Sequence, residues 1–169
     1  MGRSAPPRAQ TALRLHVPIS AESLSDPDLA TWLAQELESR SVHSGSLVLV
    51  LELAELGTEV RRFRAALEAL QMIGVRLSVR GVNGAEAERQ WVELPAFDLV
   101  VVAPPSTGAE RNWRAERGAC IARAVEHGKL VIAEGVADTV ELGELMRLGV
   151  HYAESEALSS WSASPHSEL

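Results

Sequence analysis

Residues 131–155 read VIAEGVADTVELGELMRLGVHYAES, and this stretch holds a strand, a helix and the start of another strand. The run KLVIAEG, 129–135, has the apolar core LVIA, 130–133, and ends on glycine, the pattern of a buried strand. A helix follows over Thr139 to Leu148, Gly149 ends it, and VHYA, 150–153, opens the next strand. Two strands joined through a helix run parallel, because a parallel neighbour needs a crossover connection.

The same unit recurs towards the start of the chain. FDLVVVA, 97–103, reads as a buried strand, and the helix after it runs from Ala109 to Glu126 and closes at His127-Gly128. VRLSV, 75–79, follows Gly74 and leads through the turn Gly81-Val-Asn-Gly to a short helix over Ala85 to Trp91. From Thr58 to Met72, Val60, Phe63, Leu67 and Leu70 share one helical face, while Arg61, Arg62, Arg64 and Glu68 lie largely on the other. LVLVLEL, 47–53, is a further buried strand behind the His43-Ser-Gly turn. Before it, Leu29, Trp32, Leu33 and Leu37 recur at helical spacing, with Ser25-Asp-Pro-Asp supplying an N-cap and a first-turn proline. Leu13, Leu15, Val17 and Ile19 alternate as in a strand. Six strands alternating with five helices predict a parallel α/β architecture, and periodicity leaves open whether the sheet is flat or curled into a barrel. No shorter repeat underlies the alternation.

A chain of 169 residues, 46% hydrophobic and 23% charged, fits one globular domain. Its Pro, Arg and Ser-rich start and Ser-rich end predict disordered tails over 1–11 and 162–169 around a folded domain over 12–161. A net charge of -7 speaks against a nonspecific nucleic-acid surface. Cys120, the single cysteine, excludes an internal disulfide and a multi-cysteine zinc site, and its place among apolar neighbours predicts a helix core position. No stretch reaches the roughly 20 apolar residues of a membrane-spanning helix, and MGRSAPPRAQ has no hydrophobic core of a signal peptide, so a cytoplasmic location away from the membrane is expected. The five histidines lack metal-motif spacing and are expected at the surface or at strand ends; Trp32, Trp91 and Trp113 are expected to seal helix faces.

The stretch 131–155 closely resembles the end of EAL domains, where a strand ending in AEGVE precedes a helix and LGCDYVQGY. Upstream, LVLVLELAEL resembles the family's LVLEITES, GVRLSVRGVNG its GVRIALDDFGTG, LPAFDLVVVAPP its LPVDYLKIDRSF, and LRLHVPISAESLSDPDL its SVNLSARQLSDPDF, all in the family's order. The resemblance implies an incomplete TIM-like β/α barrel, with no counterpart here for the family's first two strands. EAL domains hydrolyse cyclic di-GMP with two Mg or Mn ions.

The same resemblance assigns the site residues. Glu52 matches the metal-binding glutamate of the EITE-like strand, and Glu134 matches the first glutamate of AEGVE. The other family positions are changed. The asparagine of the NLS strand is Pro18, the paired aspartates of DDFGTG are Arg80 and Gly81, and the lysine and aspartate of KID are Val101 and Ala103. The second glutamate of AEGVE is Ala137, and the guanine-side glutamine is Glu154. Two-metal hydrolysis needs several carboxylates converging on the ions, and such a site acts as a unit. The expected reading is a catalytically inactive module that binds no metal cofactor, with Glu52 a structural carboxylate paired to Arg80 on the neighbouring strand and Glu134 a carboxylate capping the turn at Gly135. A guanidinium at position 80 could then sit where a metal would.

The partner expectation follows from the fold. Six strands of a barrel leave two open edges, which predicts a protein partner or a second copy covering them. Cyclic di-GMP is a disfavoured ligand because Arg80 and Glu154 stand at pocket positions, and an active phosphodiesterase is more disfavoured still. Arg61, Arg62 and Arg64, read first as a solvated helix face, and Trp161 near the end are candidate contact residues.

Overall fold

A computed structural model of the chain describes residues 14–57, 60–83, 89–104 and 113–154, with the side chains of 113 and 114 excepted. Six strands form one parallel sheet: β1 (Leu15–Ile19), β2 (Leu47–Glu52), β3 (Arg76–Val82), β4 (Leu99–Val102), β5 (Leu130–Ala133) and β6 (Tyr152–Ala153). Their order in the sheet is their order in sequence, and β1 and β6 do not pair with each other, so the sheet is an open arc of a β/α barrel. Between the strands lie helices α1 (Ala21–Leu24), α2 (Leu29–Ser39), α3 (Leu53–Leu56), α4 (Val60–Met72), α5 (Arg89–Val92), α6 (Trp113–Glu126) and α7 (Thr139–Arg147).

Strand residues two apart point the same way, and this divides the sheet into two unlike faces. Leu49, Leu51, Leu77, Val79, Val100, Val102, Val131 and Ala133 point to the helices and are buried there with Phe63, Leu67 and Leu70 of α4, Ile121 and Ala124 of α6 and Leu145 of α7. Trp91 is fully buried between the rings of Phe63 and Phe97, at centroid distances of 6.4 and 6.3 Å, and its indole N–H donates to the Gly57 carbonyl at 2.8 Å. Cys120 is buried in α6 as expected. The opposite face carries Val50, Glu52, Arg80, Val101, Ile132 and Glu134, has no helix layer among the described residues, and forms the floor of a trough.

The local detail departs from the sequence reading at several points. Ser25 does not cap α2. Ser20 caps the unanticipated helix α1 by accepting from the Ser23 amide at 3.1 Å, and Ser25 closes it by donating from Oγ to the Ala21 carbonyl at 2.8 Å. Asp28 stands at the start of α2 with no side-chain cap bond, because Ser and Asp in Ser25-Asp-Pro-Asp serve the turn between two helices rather than one helix start. Trp32 seals nothing: it is 57% exposed, since Leu29, Ala30, Leu33 and Leu37 form the stripe of α2 that meets the core and residue 32 lies outside it. His43 caps its turn through Nδ1, which accepts from the Gly45 amide at 3.1 Å. The expected tails, Leu13, the start of the helix expected from Ala85, the Ala109–Asn112 turn of the helix expected from Ala109 and Trp161 lie outside the described residues, as does the side chain of Trp113.

Candidate functional site

The trough is a cavity of about 440 Å³ at the C-terminal ends of the strands, lined by His16 and Pro18 of β1, Val50 and Glu52 of β2, Arg80 of β3, Val101 of β4, Ile132 and Glu134 at β5, and Tyr152, Ala153 and Glu154 at β6. Strand register builds it. Glu52 is opposite Arg80, Arg80 opposite Val101, and Ile132 opposite Tyr152, so one cross-sheet row carries the polar groups at the mouth. The row below, Pro18, Val50, Ser78, Leu99 and Leu130, is mainly apolar.

Arg80 is the centre of the mouth. Its Nε stands 2.7 Å from Glu134 Oε1, and its Nη1 stands 3.7 Å from Glu52 Oε1. The Glu134 carboxylate raises the Arg80 pKa most, partial burial opposes it, and Glu52 and Glu154 add smaller upward pulls. The expected pairing of Glu52 with Arg80 is therefore present, but the tighter partner is Glu134, whose carboxylate turns to the guanidinium instead of capping the turn at Gly135. Sequence reasoning missed this second pair because residues 80 and 134 sit on strands separated by β4.

Gly81 is the extra residue of a β-bulge: Arg80 pairs with Val101 and Val82 with Val102, leaving Gly81 between them at φ +81°. A Cβ at this position would meet Glu52 Oε2 at 3.4 Å. Gly81→Asp, which restores the family's acidic residue, is expected to lower the unfolding free energy by about 1–2 kcal/mol because a side chain is strained in this backbone region. Thermal and urea unfolding of the variant check this.

Of the remaining assigned positions, Ala103 follows β4 and donates its amide to the Val82 carbonyl at 2.8 Å. Ala137 is exposed before α7, where its amide donates to Glu141 Oε2 at 2.8 Å. Neither lines the trough, whereas Pro18, Glu52, Arg80, Val101, Glu134 and Glu154 do. Arg61, Arg62 and Arg64 are exposed on α4, which packs on the helix side of the sheet, so they lie apart from the trough. Arg64 pairs with Glu68 at 3.2 Å, and the Arg62 guanidinium lies 5.0 Å from the Phe63 ring centroid. Two trough residues, His16 and Tyr152, were not singled out from sequence, although period-two alternation from Pro18 and Glu154 points to them.

Beneath the mouth, Arg117 of α6 is 2% exposed and holds three elements together. Its Nη1 donates to Glu141 Oε1 at 2.8 Å, and its Nη2 donates to the Glu134 carbonyl at 2.6 Å and the Val102 carbonyl at 3.5 Å. Burial lowers its pKa, and the Glu141 and Glu134 carboxylates oppose that. No sequence pattern marks this residue, since an arginine on α6 is at home in solvent unless carbonyls from β4 and β5 converge on it.

The two ions that the fold family implies do not fit these residues. Glu52 and Glu134 are the only carboxylates at the assigned ligand positions, Arg80 is held between them, and Pro18, Val101 and Ala103 offer no side-chain ligand. Among the described residues, no group of three or more His, Cys, Asp or Glu side chains is placed to hold a metal ion.

The family model described as EAL domain matches residues 3–155. The chain belongs to the EAL domain family. Among solved structures, this EAL domain is similar to the FimX EAL domain of Xanthomonas citri in complex with c-di-GMP, at 20% identity and a TM-score of 0.72, over 87% of this chain and 59% of that one. It is similar to the EAL domain of Mycobacterium smegmatis DcpA at 21% identity and a TM-score of 0.72, over 86% of this chain and 66% of that one. The Pseudomonas aeruginosa FimX EAL domain bound to c-di-GMP matches at 18% identity and a TM-score of 0.67, over 84% and 60%. These likenesses carry the fold, and the chain spans less than two thirds of each structure's length. No curated protein matches it in sequence. Among its described residues, no helix is long and apolar enough to cross a membrane.

Proposed function

We propose that this EAL domain is a noncatalytic regulatory or interaction module in signalling related to cyclic di-GMP. The observation that carries the proposal is the position of Arg80, whose guanidinium supplies the positive charge between Glu52 and Glu134 that metal ions would otherwise supply. Hydrolysis by two ions needs an open coordination sphere and a water made acidic by the metal. A guanidinium has no vacant coordination site and lowers no water pKa, so the arrangement can hold two carboxylates in place but cannot generate hydroxide. The residues at positions 101 and 103, valine and alanine, add neither a proton carrier nor a ligand.

A protein partner or second copy is part of the proposal, and the sheet edges limit how it docks. β1 contains Pro18, which has no backbone N–H to give a new strand, and β6 has only two residues. Cover of the edges through side chains is therefore favoured over strand addition along either of them. A receptor reading has one observation in its favour: Arg80 is 47% exposed at the mouth, within reach of a phosphate. Against it, Glu52, Glu134 and Glu154 surround that arginine.

Calorimetric titration with cyclic di-GMP, with and without Mg or Mn, combined with product analysis of the same samples, tests both readings. The expected result is neither heat of binding nor hydrolysis product. Binding without product replaces the module reading with the receptor reading, and metal-dependent product overturns both.

A further inference from the structure

Helix α4 places its charges against its own dipole. The N-terminal end of a helix is positive and favours acidic side chains, yet α4 has no acidic residue in its first turn and carries the exposed Arg61 and Arg62 there. Arg64 is paired with Glu68, and Arg62 lies over the Phe63 ring, but among the described residues neither Arg61 nor Arg62 has a carboxylate partner. In a chain of net charge -7 this is an isolated positive patch, unfavourable for the helix by itself and relieved by a negative group beside it.

Beside the patch lies a groove. A cavity of about 330 Å³ separates α4 from α1, α2 and the turn between them, with Leu24 and Leu29 on one wall, Ala65, Ala66 and Ala69 on the other, and Arg62 lining it as well. Asp26, on the wall opposite Arg62, accepts from the Asp28 amide at 2.9 Å. Ala65, Ala69 and Met72 follow one another at spacings of four and three and so share one face of α4, on which Met72 is 88% exposed. Helix α2, which supplies part of the other wall, has no buried residue, although Leu29, Leu33 and Leu37 give it an apolar stripe.

We propose that this groove is the docking site for an acidic amphipathic helix of a partner protein, its apolar side chains on Ala65, Ala69 and Met72 and its carboxylates on Arg61 and Arg62. Two helices that bound an apolar groove can seat a third, and the alanines let its backbone come close. The unpaired arginines at the positive end of α4 set the sign of the partner's charge. A flat lipid surface does not enter a walled groove, and it would meet Asp26. The site lies on the helix side of the sheet, away from the trough and independent of what the trough binds.

The probe is a stapled helical peptide of about four turns, with leucines on one face and glutamates on the other. The chain has three methionines, Met1, Met72 and Met146, whose methyl groups can be labelled and followed separately by NMR. The expected result is a saturable shift of the Met72 signal without a shift of Met146, which lies on α7. Affinity for the peptide should fall at least about tenfold in the double variant Arg61→Glu, Arg62→Glu, and likewise in 1 M salt, where screening acts within about 3 Å. That variant puts acids where the helix dipole favours them, so it should unfold at the parent's temperature or above. Ala65→Trp, which fills the groove and leaves both arginines in place, should abolish binding. Absence of a saturable Met72 shift overturns the proposal, as does equal binding of a peptide with glutamines in place of the glutamates, or parent affinity in the double variant. A Met72 signal that moves with protein concentration in the chain alone assigns the groove to a second copy and overturns it too. Binding or hydrolysis of cyclic di-GMP at the trough leaves this inference untouched.

Discussion

Replacing Arg117 by methionine is expected to lower the unfolding free energy by about 3–5 kcal/mol, the cost of breaking a buried ion pair from one side. The side chain is 2% exposed and the partner Glu141 is 13% exposed, so water cannot take over the lost contacts. Three acceptors lose a donor at once: Glu141 Oε1 and the carbonyls of Glu134 and Val102. Glu141 keeps its bond from the Ala137 amide, while its own amide donates to Asp138, the N-cap of α7. The damage should therefore centre on the junction of β4, β5 and α7 rather than on the helix alone. Urea unfolding followed by circular dichroism should show a lower midpoint at an unchanged slope. A loss below about 1 kcal/mol would mean that the guanidinium contributes no more than an exposed pair does. Arg117→Lys should recover only part of the loss, since an ammonium cannot reach a carboxylate and two carbonyls in the planar arrangement of a guanidinium.

Arg80→Asp is expected to raise the affinity for Mn2+ by at least about tenfold over the parent chain. Unit charges 4 Å apart interact by about 1 kcal/mol in bulk water, so exchanging one positive for one negative charge beside a divalent ion is worth about 4 kcal/mol before screening. Tenfold, about 1.4 kcal/mol, is the cautious part of that range. The exchange also frees the Glu52 and Glu134 carboxylates, which the guanidinium holds at 3.7 and 2.7 Å. Titration calorimetry or the Mn2+ electron-spin signal reads the gain directly. Equal affinity in variant and parent would show that Arg80 does not occupy the metal position, and the proposal of a charge-substituted site would fall. Hydrolysis of cyclic di-GMP is expected to stay at background in this variant, because Pro18, Val101 and Ala103 still supply neither ligand nor proton carrier.

Lys129 and Arg117 share a feature that bears on reading such chains. Both are cations in the apolar side of the fold, both have their pKa lowered chiefly by burial, and both are stabilised by backbone carbonyls. Lys129 opens KLVIAEG in sequence and looks like a solvated flank of the strand. It is buried because the loop carbonyls of Leu94 and Phe97 close over it.

The parallel α/β class was legible in the sequence, because apolar runs such as LVLVLEL and FDLVVVA alternate with amphipathic stretches such as Thr58–Met72, and burial on a sheet imposes that period locally. The pairing of Glu52 with Arg80 was legible too, through a resemblance that placed both on adjacent strands. Tertiary structure alone decided the rest. That Glu134 is the closer partner of Arg80, that Gly81 makes a bulge, and that Arg117 is sealed beneath the mouth all depend on the distance between strands that are not neighbours or on register across a sheet. Side-chain chemistry sets what each residue can bond, whereas the twist and register of the sheet select which carbonyls and carboxylates arrive within reach, and neither is written in any one segment.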